Sequence, residues 1–314
     1  MEEYKHYIEN INAAVVDNPG HYVSICERRY ENILRQAVRE IVAKPDKNKI
    51  IMLAGPSSSG KTTGANKLAR NISRMGFNAY VVSLDDFYKD REEIPFGPDG
   101  KQDFETVDAY NLDLVAECLR GISKEGHASI PNFCFETGHR TDNVIDLKLD
   151  PTDIVIVEGL HALNPKITGS LDDGASLTKI YVSTASDIFF DSGENEGDIF
   201  LTRREVRFLR RMIRDYYTRN SSVKNTYDMW PKVVEGEIKY LIPFMDSSDY
   251  IVDSIHAYEI CVYKDTALKL LKDLPPEHEN YKDAQNLMKK LNIIEGLDKS
   301  IVPRTSLLRE FIGK

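Results

Sequence analysis

The octapeptide Gly55-Pro56-Ser57-Ser58-Ser59-Gly60-Lys61-Thr62 narrows the fold more than any other stretch of this chain. An apolar run, KIIMLAG, leads into it, and a helical pattern, TTGANKLARNISRM, leaves it. Strand, glycine loop and helix in that order are the context in which such a loop cradles phosphate. Gly55 and Gly60 let the backbone curl so that its N–H groups converge. The helix that follows adds the positive end of its dipole. Ser57, Ser58 and Ser59 fill the loop. Lys61 stands where it would reach the β- and γ-phosphates of ATP, and the Thr62 hydroxyl where it would sit on Mg²⁺. Thr63 closes the run of nucleotide-site residues as a helix residue without a role of its own. The spacing predicts ATP and Mg²⁺ as cofactors.

Three further apolar runs point to the sheet that carries the loop. AYVVSLDD and DIVIVEG end in carboxylates, and KIYVS (179–183) reads as a fourth strand. YLIPF (240–244) and DYIVDS (249–254) are read as bracketing another. Continuous apolar runs suit strands covered on both faces, as in a parallel sheet. With helical stretches between them, they predict an α/β fold of the P-loop NTPase type: a doubly wound, mainly parallel sheet with ligands at the strands' carboxyl ends. Ahead of it lies a helical lead-in (1–48), in which CERRYENILRQAVREIV places Ile33, Leu34, Ala37, Val38, Ile41 and Val42 on one stripe, with Pro45 and the KPDKNK cluster ending the helix. The kinase-like core is expected over 49–261, and a helical extension packed on it over 262–314.

Charge and composition exclude several classes. A net charge of −9 argues against a general nucleic-acid binder, and no apolar stretch approaches the ~20 residues of a membrane span. Cys26, Cys118, Cys134 and Cys261 are scattered without metal-ligand spacing, as expected for reduced thiols in a cytoplasmic protein. No membrane partner and no stable nucleic-acid partner is expected; self-association is left open.

Phosphoryl transfer to an alcohol needs a metal clamp and a group that accepts the hydroxyl proton. Asp85, ending a strand beside the glycine loop, is the candidate base. Glu158 ends DIVIVE, where an acid can hold Mg²⁺ directly or through water. Either could instead cap a following helix, and Asp86 is read as a cap or loop residue. Downstream, FLTRREVRFLRRMIRDYYTRN carries Arg203, Arg207, Arg210, Arg211 and Arg214 on one arc of a helix, with Phe208, Leu209, Met212, Ile213 and Tyr216 opposite. A solvated face usually mixes Lys, Glu and Arg, whereas an all-Arg stripe suits bidentate phosphate contacts. The stripe is read as part of a lid (about 186–222) hinged on the acidic loop DSGENEGD (191–198), with Arg207 and Arg210 stabilising the transferred phosphate beside Lys61.

Taken together, SLDDFY (83–88), FETVDAYN (104–111), IPNFCF (130–135), VEGLHAL (157–163) and RRMIRDYYTRN (210–220) resemble, in order and spacing over about residues 50–255, the motifs of the uridine kinase and phosphoribulokinase family. The chain is similar above all to a bacterial uridine kinase-like branch, through GPSSSGKTT, SLDDFYKDRE, the FETGHR turn, MWPKVVEGE and SLLREFIG. Members of that branch are often fused to a threonyl-tRNA-synthetase-like N-terminal region, for which the stretch before the first core strand is too short. The resemblance implies Asp85 as general base, with Thr62, Asp85 and Glu158 around the metal. It implies Glu105 at the ribose hydroxyls, Tyr88, Phe133 and Phe135 lining a nucleoside pocket, and Arg140 and Arg207 near substrate or phosphates. Glu105 stands where those kinases have Asp, Thr106-Val107 where they have His-Pro, and Gly138 where they place a base-reading histidine.

The expected activity is ATP-dependent 5′-phosphorylation of a nucleoside, uridine or cytidine, as in pyrimidine salvage. A second reading keeps the chemistry with a sugar phosphate or pantothenate-like acceptor. A third is a non-catalytic nucleotide-sensing or RNA-associated module, against which stand Lys61, Thr62, Asp85 and Glu158.

Overall fold

The computed structural model describes residues 5–43, 50–97, 100–171, 177–191 and 193–313, leaving aside the side chain of Asn143. Its first elements are β1 (His6–Tyr7), α1 (Ile8–Asp17), α2 (Pro19–Val42), β2 (Ile50–Ala54), α3 (Lys61–Arg74), β3 (Ala79–Ser83) and α4 (Leu112–Arg120). A hairpin of β4 (His127–Cys134) and β5 (His139–Lys148) precedes β6 (Ile154–Glu158), α5 (Pro165–Thr168), β7 (Leu177–Ser183), β8 (Ile188–Phe189) and β9 (Ile199–Leu201). The remainder is α6 (Arg203–Arg219), α7 (Val223–Tyr240), α8 (Ile242–Met245), β10 (Tyr250–Asp253), α9 (Glu259–Lys272), α10 (Tyr281–Ile293) and α11 (Arg309–Ile312).

Five parallel strands form the central sheet in the order β10-β7-β2-β6-β3. Every residue of β2 and β6 is buried, which is why both read as unbroken apolar runs. Alternate side chains feed two cores. Ile51, Leu53, Ile156, Ile180 and Val182 meet Leu34 of α2, Leu68 of α3, Leu209 of α6 and Tyr263 of α9 on one face. Ile50, Met52, Ala54, Val155 and Val157 meet Val115 of α4 together with Ile130 and Phe133 of the hairpin on the other. Covered faces on both sides make the sheet doubly wound, with its carboxyl ends facing one cleft.

Local chemistry fixes the helix starts. Asn18 caps α2 by accepting from the His21 N–H at 3.1 Å, and Pro19 occupies the first turn, where no N–H is needed. Thr202 and Glu205 form a reciprocal capping box at α6. That box sets where the arginine helix begins and so which of its side chains face the loop.

Several expectations are corrected. YLIPF is not a strand: Tyr240 ends α7, and Pro243 sits in the first turn of α8. The lead-in contains two helices rather than one, and β1 pairs with β8. Its residues Ile8, Ile11 and Leu34 share one core with the sheet, so it is part of the same unit. The boundary expected between 261 and 262 falls inside α9, whose buried face includes Ile260, Cys261 and Val262. Asp191 and residues 193–198 lie at the tip of the β8–β9 hairpin, closed by Phe190 N–H to Asp198 O at 3.0 Å; Ser192 lies outside the described residues, as does the KPDKNK cluster.

The stretch expected as a lid, about 186–222, contains α6. Arg207 and Arg210 are buried with Val206, Phe208, Leu209, Met212 and Ile213, whereas Arg211 and Arg214 are half-buried and Arg203 is exposed, so α6 is covered on its apolar face and on only part of its arginine face. In this conformation α6 lines the cleft beside the glycine loop, with Arg211 donating to Ser57.

Candidate active site

The glycine loop joins β2 to α3 at the middle of the sheet. Ser58 and Gly60 both have positive φ, 59° and 87°. The backbone of Gly55 passes so close to β7 that a Cβ there would come 2.0 Å from the Val182 carbonyl oxygen. No side chain fits, so the loop's curl is fixed by glycine. The hydroxyls of Ser58 and Ser59 are buried without a hydrogen-bond partner among the described residues. Buried donors of that kind are costly unless something fills them. Together with the N–H groups opening α3, they fit phosphate oxygens. Lys61 is folded back on its own loop, its Nζ donating to Pro56 O at 3.2 Å.

Register brings the acids to the loop. Glu158 lies opposite Leu53 of β2 and Ser83 of β3. One of its oxygens, Oε1, accepts from Thr62 Oγ1 at 3.0 Å and from Ser83 Oγ at 3.1 Å. Burial raises the Glu158 carboxyl above the usual range, against the pull of Lys61 and with a push from the neighbouring Asp85 charge. Asp85 falls in the single turn after β3, begun where Ser83 Oγ accepts from the Asp85 N–H at 3.3 Å. Burial raises its pKa as well, opposed by Lys61 and by the Tyr110 hydroxyl 3.5 Å from Oδ1. Among the described residues no group of three His, Cys, Asp or Glu side chains could hold a metal by itself. The donor set of Thr62, Asp85 and Glu158 instead fits an ion such as Mg²⁺, which binds few protein groups and keeps phosphate and water ligands.

An aromatic cluster stands beside Asp85. The Tyr88 ring lies 4.6 Å from Tyr110, 5.5 Å from Phe133 and 5.9 Å from Phe135, and Phe133 and Phe135 meet edge to face at 5.1 Å. Phe135 is 60% exposed and so presents a face to solvent. Asp86 positions this cluster, its Oδ1 accepting from the Phe133 N–H at 3.4 Å and from Asn132 Nδ2 at 3.3 Å, which ties β4 to the turn after β3. Arg140 does the same from β5, donating to Tyr88 O at 3.0 Å and to Asp142 at 2.7 Å; its guanidinium is engaged in holding the pocket wall. Glu105 lies under α7, where a Cβ on Gly236 would come 3.2 Å from it. Burial raises its pKa, countered by Arg211 and Lys61.

The arginines of α6 divide by depth. Arg207 donates through Nε to Ser57 O at 3.2 Å and through Nη1 to Glu237 at 2.7 Å, while its Nη2 is buried without a partner among the described residues. Arg211 donates to Ser57 Oγ at 3.0 Å. Arg210 is fully buried in a two-point pair with Glu259, at 2.6 and 2.8 Å, and also donates to Ser254 Oγ at 3.0 Å. Two weaker contacts at 3.4 Å reach the carbonyls of Ser58 and Ser59. Its donors are committed to the protein, so the structure assigns Arg210 to bracing the loop and not, as expected, to the transferred phosphate. Thr63, counted with the nucleotide site, donates its hydroxyl to Glu310 at 2.5 Å.

Ser83, Tyr110, His161, Glu237 and Glu259 went unmarked in the sequence. VEGLHAL carried a signal for His161, whose Nε2 contacts Glu105 O at 2.8 Å, and FETVDAYN one for Tyr110. Glu237 closes the MWPKVVEGE stretch but has no role assigned there, and Glu259 lies 49 residues from the arginine it pairs with, where no local pattern marks it.

A family model described as "Phosphoribulokinase / Uridine kinase family" matches residues 50–192. A uridine kinase from Staphylococcus aureus (strain JH9) is 30% identical over 204 residues, covering 65% of this chain and 86% of that protein. Among solved structures, a possible uridine kinase from Bacillus stearothermophilus is 18% identical, covers 46% of this chain and 80% of its own, and superposes with a TM-score of 0.35. A P-loop-containing kinase candidate with a circular permutation, from Saccharomyces cerevisiae, is 13% identical, covers 70% of this chain and 98% of its own, and gives a TM-score of 0.47.

Proposed function

The chain belongs to the phosphoribulokinase and uridine kinase family of P-loop phosphotransferases, and from that premise we propose that it transfers the terminal phosphate of ATP to the 5′-hydroxyl of a nucleoside, with uridine preferred and cytidine next. The observation that carries the reading is the convergence of Asp85, the Thr62–Glu158 pair and the Tyr88–Phe133–Phe135 cluster at one end of the sheet.

Each residue has a defined task in it. The loop N–H groups and the Ser58 and Ser59 hydroxyls hold the donor phosphates, and Lys61 swings from Pro56 O to reach them. Thr62, with Glu158 and Asp85 facing it, would hold Mg²⁺, which would supply charge neutralisation to the donor phosphates. Asp85 accepts the proton of the acceptor hydroxyl. Glu105 accepts hydrogen bonds from the sugar hydroxyls, and the open face of Phe135 offers a surface for the base. Arg207, through its unpartnered Nη2, donates to the transferred group. Arg140 orients Tyr88 through the carbonyl it binds.

An acceptor that already bears phosphate is the second reading. It is favoured by Arg211 and Arg219, which line an open cleft of about 510 Å³ with Asp215, Asn220, Ser221 and Asn225. The test is turnover of Mg-ATP with a panel of nucleosides, ribulose phosphate and pantothenate. Uridine is expected to give the highest kcat/KM. Turnover of ribulose phosphate or pantothenate without any nucleoside would overturn the nucleoside reading. No turnover of any acceptor would return the chain to a nucleotide-sensing role.

A further inference from the structure

The C-terminal segment is packed against the glycine loop, although nothing in the phosphoryl chemistry requires it there. Leu307 covers Gly60 so closely that a Cβ on that glycine would come 2.5 Å from Leu307 Cδ1. The Arg210 guanidinium lies 5.0 Å from the Phe311 ring centre, and the Ser306 hydroxyl donates to Glu27 of α2. Leu307, Leu308 and Phe311 are completely buried, so the segment is anchored on both sides of residue 310.

Between these anchors Glu310 turns its carboxylate to α3, where Oε2 accepts from the Thr63 hydroxyl at 2.5 Å. Thr63 follows Thr62 in the first turn of that helix. The positive end of the α3 dipole is what a phosphate chain uses when it binds a loop of this kind. A carboxylate held at the same turn shares that field and repels phosphate. Glu310 itself is only partly buried; Arg210, the cation whose field it feels, is already paired at two points with Glu259.

We propose that Glu310 is a positioning residue that sets the affinity of the donor site: its charge opposes the donor's phosphates at the first turn of α3, while the apolar anchors hold the loop's shape. The proposal rests on the reading of the loop as an ATP site and is independent of which acceptor is used.

Calorimetric titration of the full chain with Mg-ATP tests it. Glu310→Gln keeps an oxygen to accept from Thr63 and removes only the charge. Its Mg-ATP affinity should rise by about fivefold, the size of one close charge–charge repulsion in a water-like medium. The gain should shrink toward nothing at ~1 M salt, where screening acts over about 3 Å. Thr63→Val, which breaks the hydrogen bond but leaves the charge, should not tighten binding. Unchanged or weaker binding by Glu310→Gln at low salt would overturn the proposal, as would a gain that persists at high salt, since a packing effect is not screened. A wild-type chain that binds no Mg-ATP would remove the donor reading and this proposal with it.

Discussion

Thr62 Oγ1 donates to Glu158 Oε1 at 3.0 Å, linking the first turn of the loop helix to the carboxyl end of the adjacent strand. The link exists because β2 and β6 pair in parallel register, Leu53 against Glu158, so the two segments leave the sheet together. The hydroxyl and the acid proposed to hold the metal are thereby fixed by backbone pairing rather than by a flexible loop.

Glu158→Gln should weaken that arrangement without disturbing the sheet. The amide can still accept from Thr62 and Ser83 but cannot carry charge toward a cation. Activity titrated with Mg²⁺ should need a concentration about 10- to 100-fold higher to reach half its maximum. An unchanged Mg²⁺ dependence would restrict Glu158 to holding Thr62 and Ser83.

Asp85→Asn should lower kcat by about 10²- to 10⁴-fold, the usual worth of a positioned base, and weaken Mg-ATP binding far less, because Thr62, Glu158 and the loop still hold it. In the wild type, the rate should carry the titration of Asp85. Burial raises its pKa, and only the ionised carboxylate can accept the acceptor's proton. Activity should therefore fall as pH drops, with a midpoint above the ordinary aspartate range. A pH–rate profile flat down to that range would remove Asp85 as base.

Replacing Arg210 should act first on stability. Its partner Glu259 is fully buried, and removing one member of such a pair strands the other charge. Arg210→Met should cost roughly 3–5 kcal/mol in urea unfolding, and the double variant Arg210→Met with Glu259→Leu should recover much of it. A single variant as stable as the wild type would contradict the bracing role.

Acid should destabilise the fold through its buried histidines. Burial lowers the pKa of His161 to about 4 and of His6 to about 4, so both are neutral in the folded chain at neutral pH. Unfolded histidine titrates near 6.5, and the unfolded state therefore binds more protons between that pH and about 4. Stability is fully present above the unfolded value and is lost as pH falls through that window, by roughly 3 kcal/mol for His161 on 1.36 kcal/mol per unit. His161→Gln should reduce that acid sensitivity without abolishing it, because His6 remains. A variant as acid-sensitive as the wild type would show that His161 is not desolvated in the way its burial indicates.

Much of this could be read along the chain. The loop from Gly55 to Thr62, the strands ending near Asp85 and at Glu158, and the arginine run of α6 are local patterns, and local patterns report strand, turn and helix directly. The sequence by itself therefore determined the α/β class, the glycine loop between strand and helix, and the acids beside it. It could not tell which arginine faces the loop as a free donor and which is sealed in the core. Arg207 and Arg210 stand three residues apart on one helix. One keeps an unpartnered buried Nη2, while the other is closed off by Glu259, from a segment 49 residues later. The same holds for Glu310, which reaches Thr63 across 247 positions. Only tertiary structure decided these roles. A buried charge takes its chemistry from whatever partner the packing brings within hydrogen-bond reach, and sequence spacing does not encode that partner.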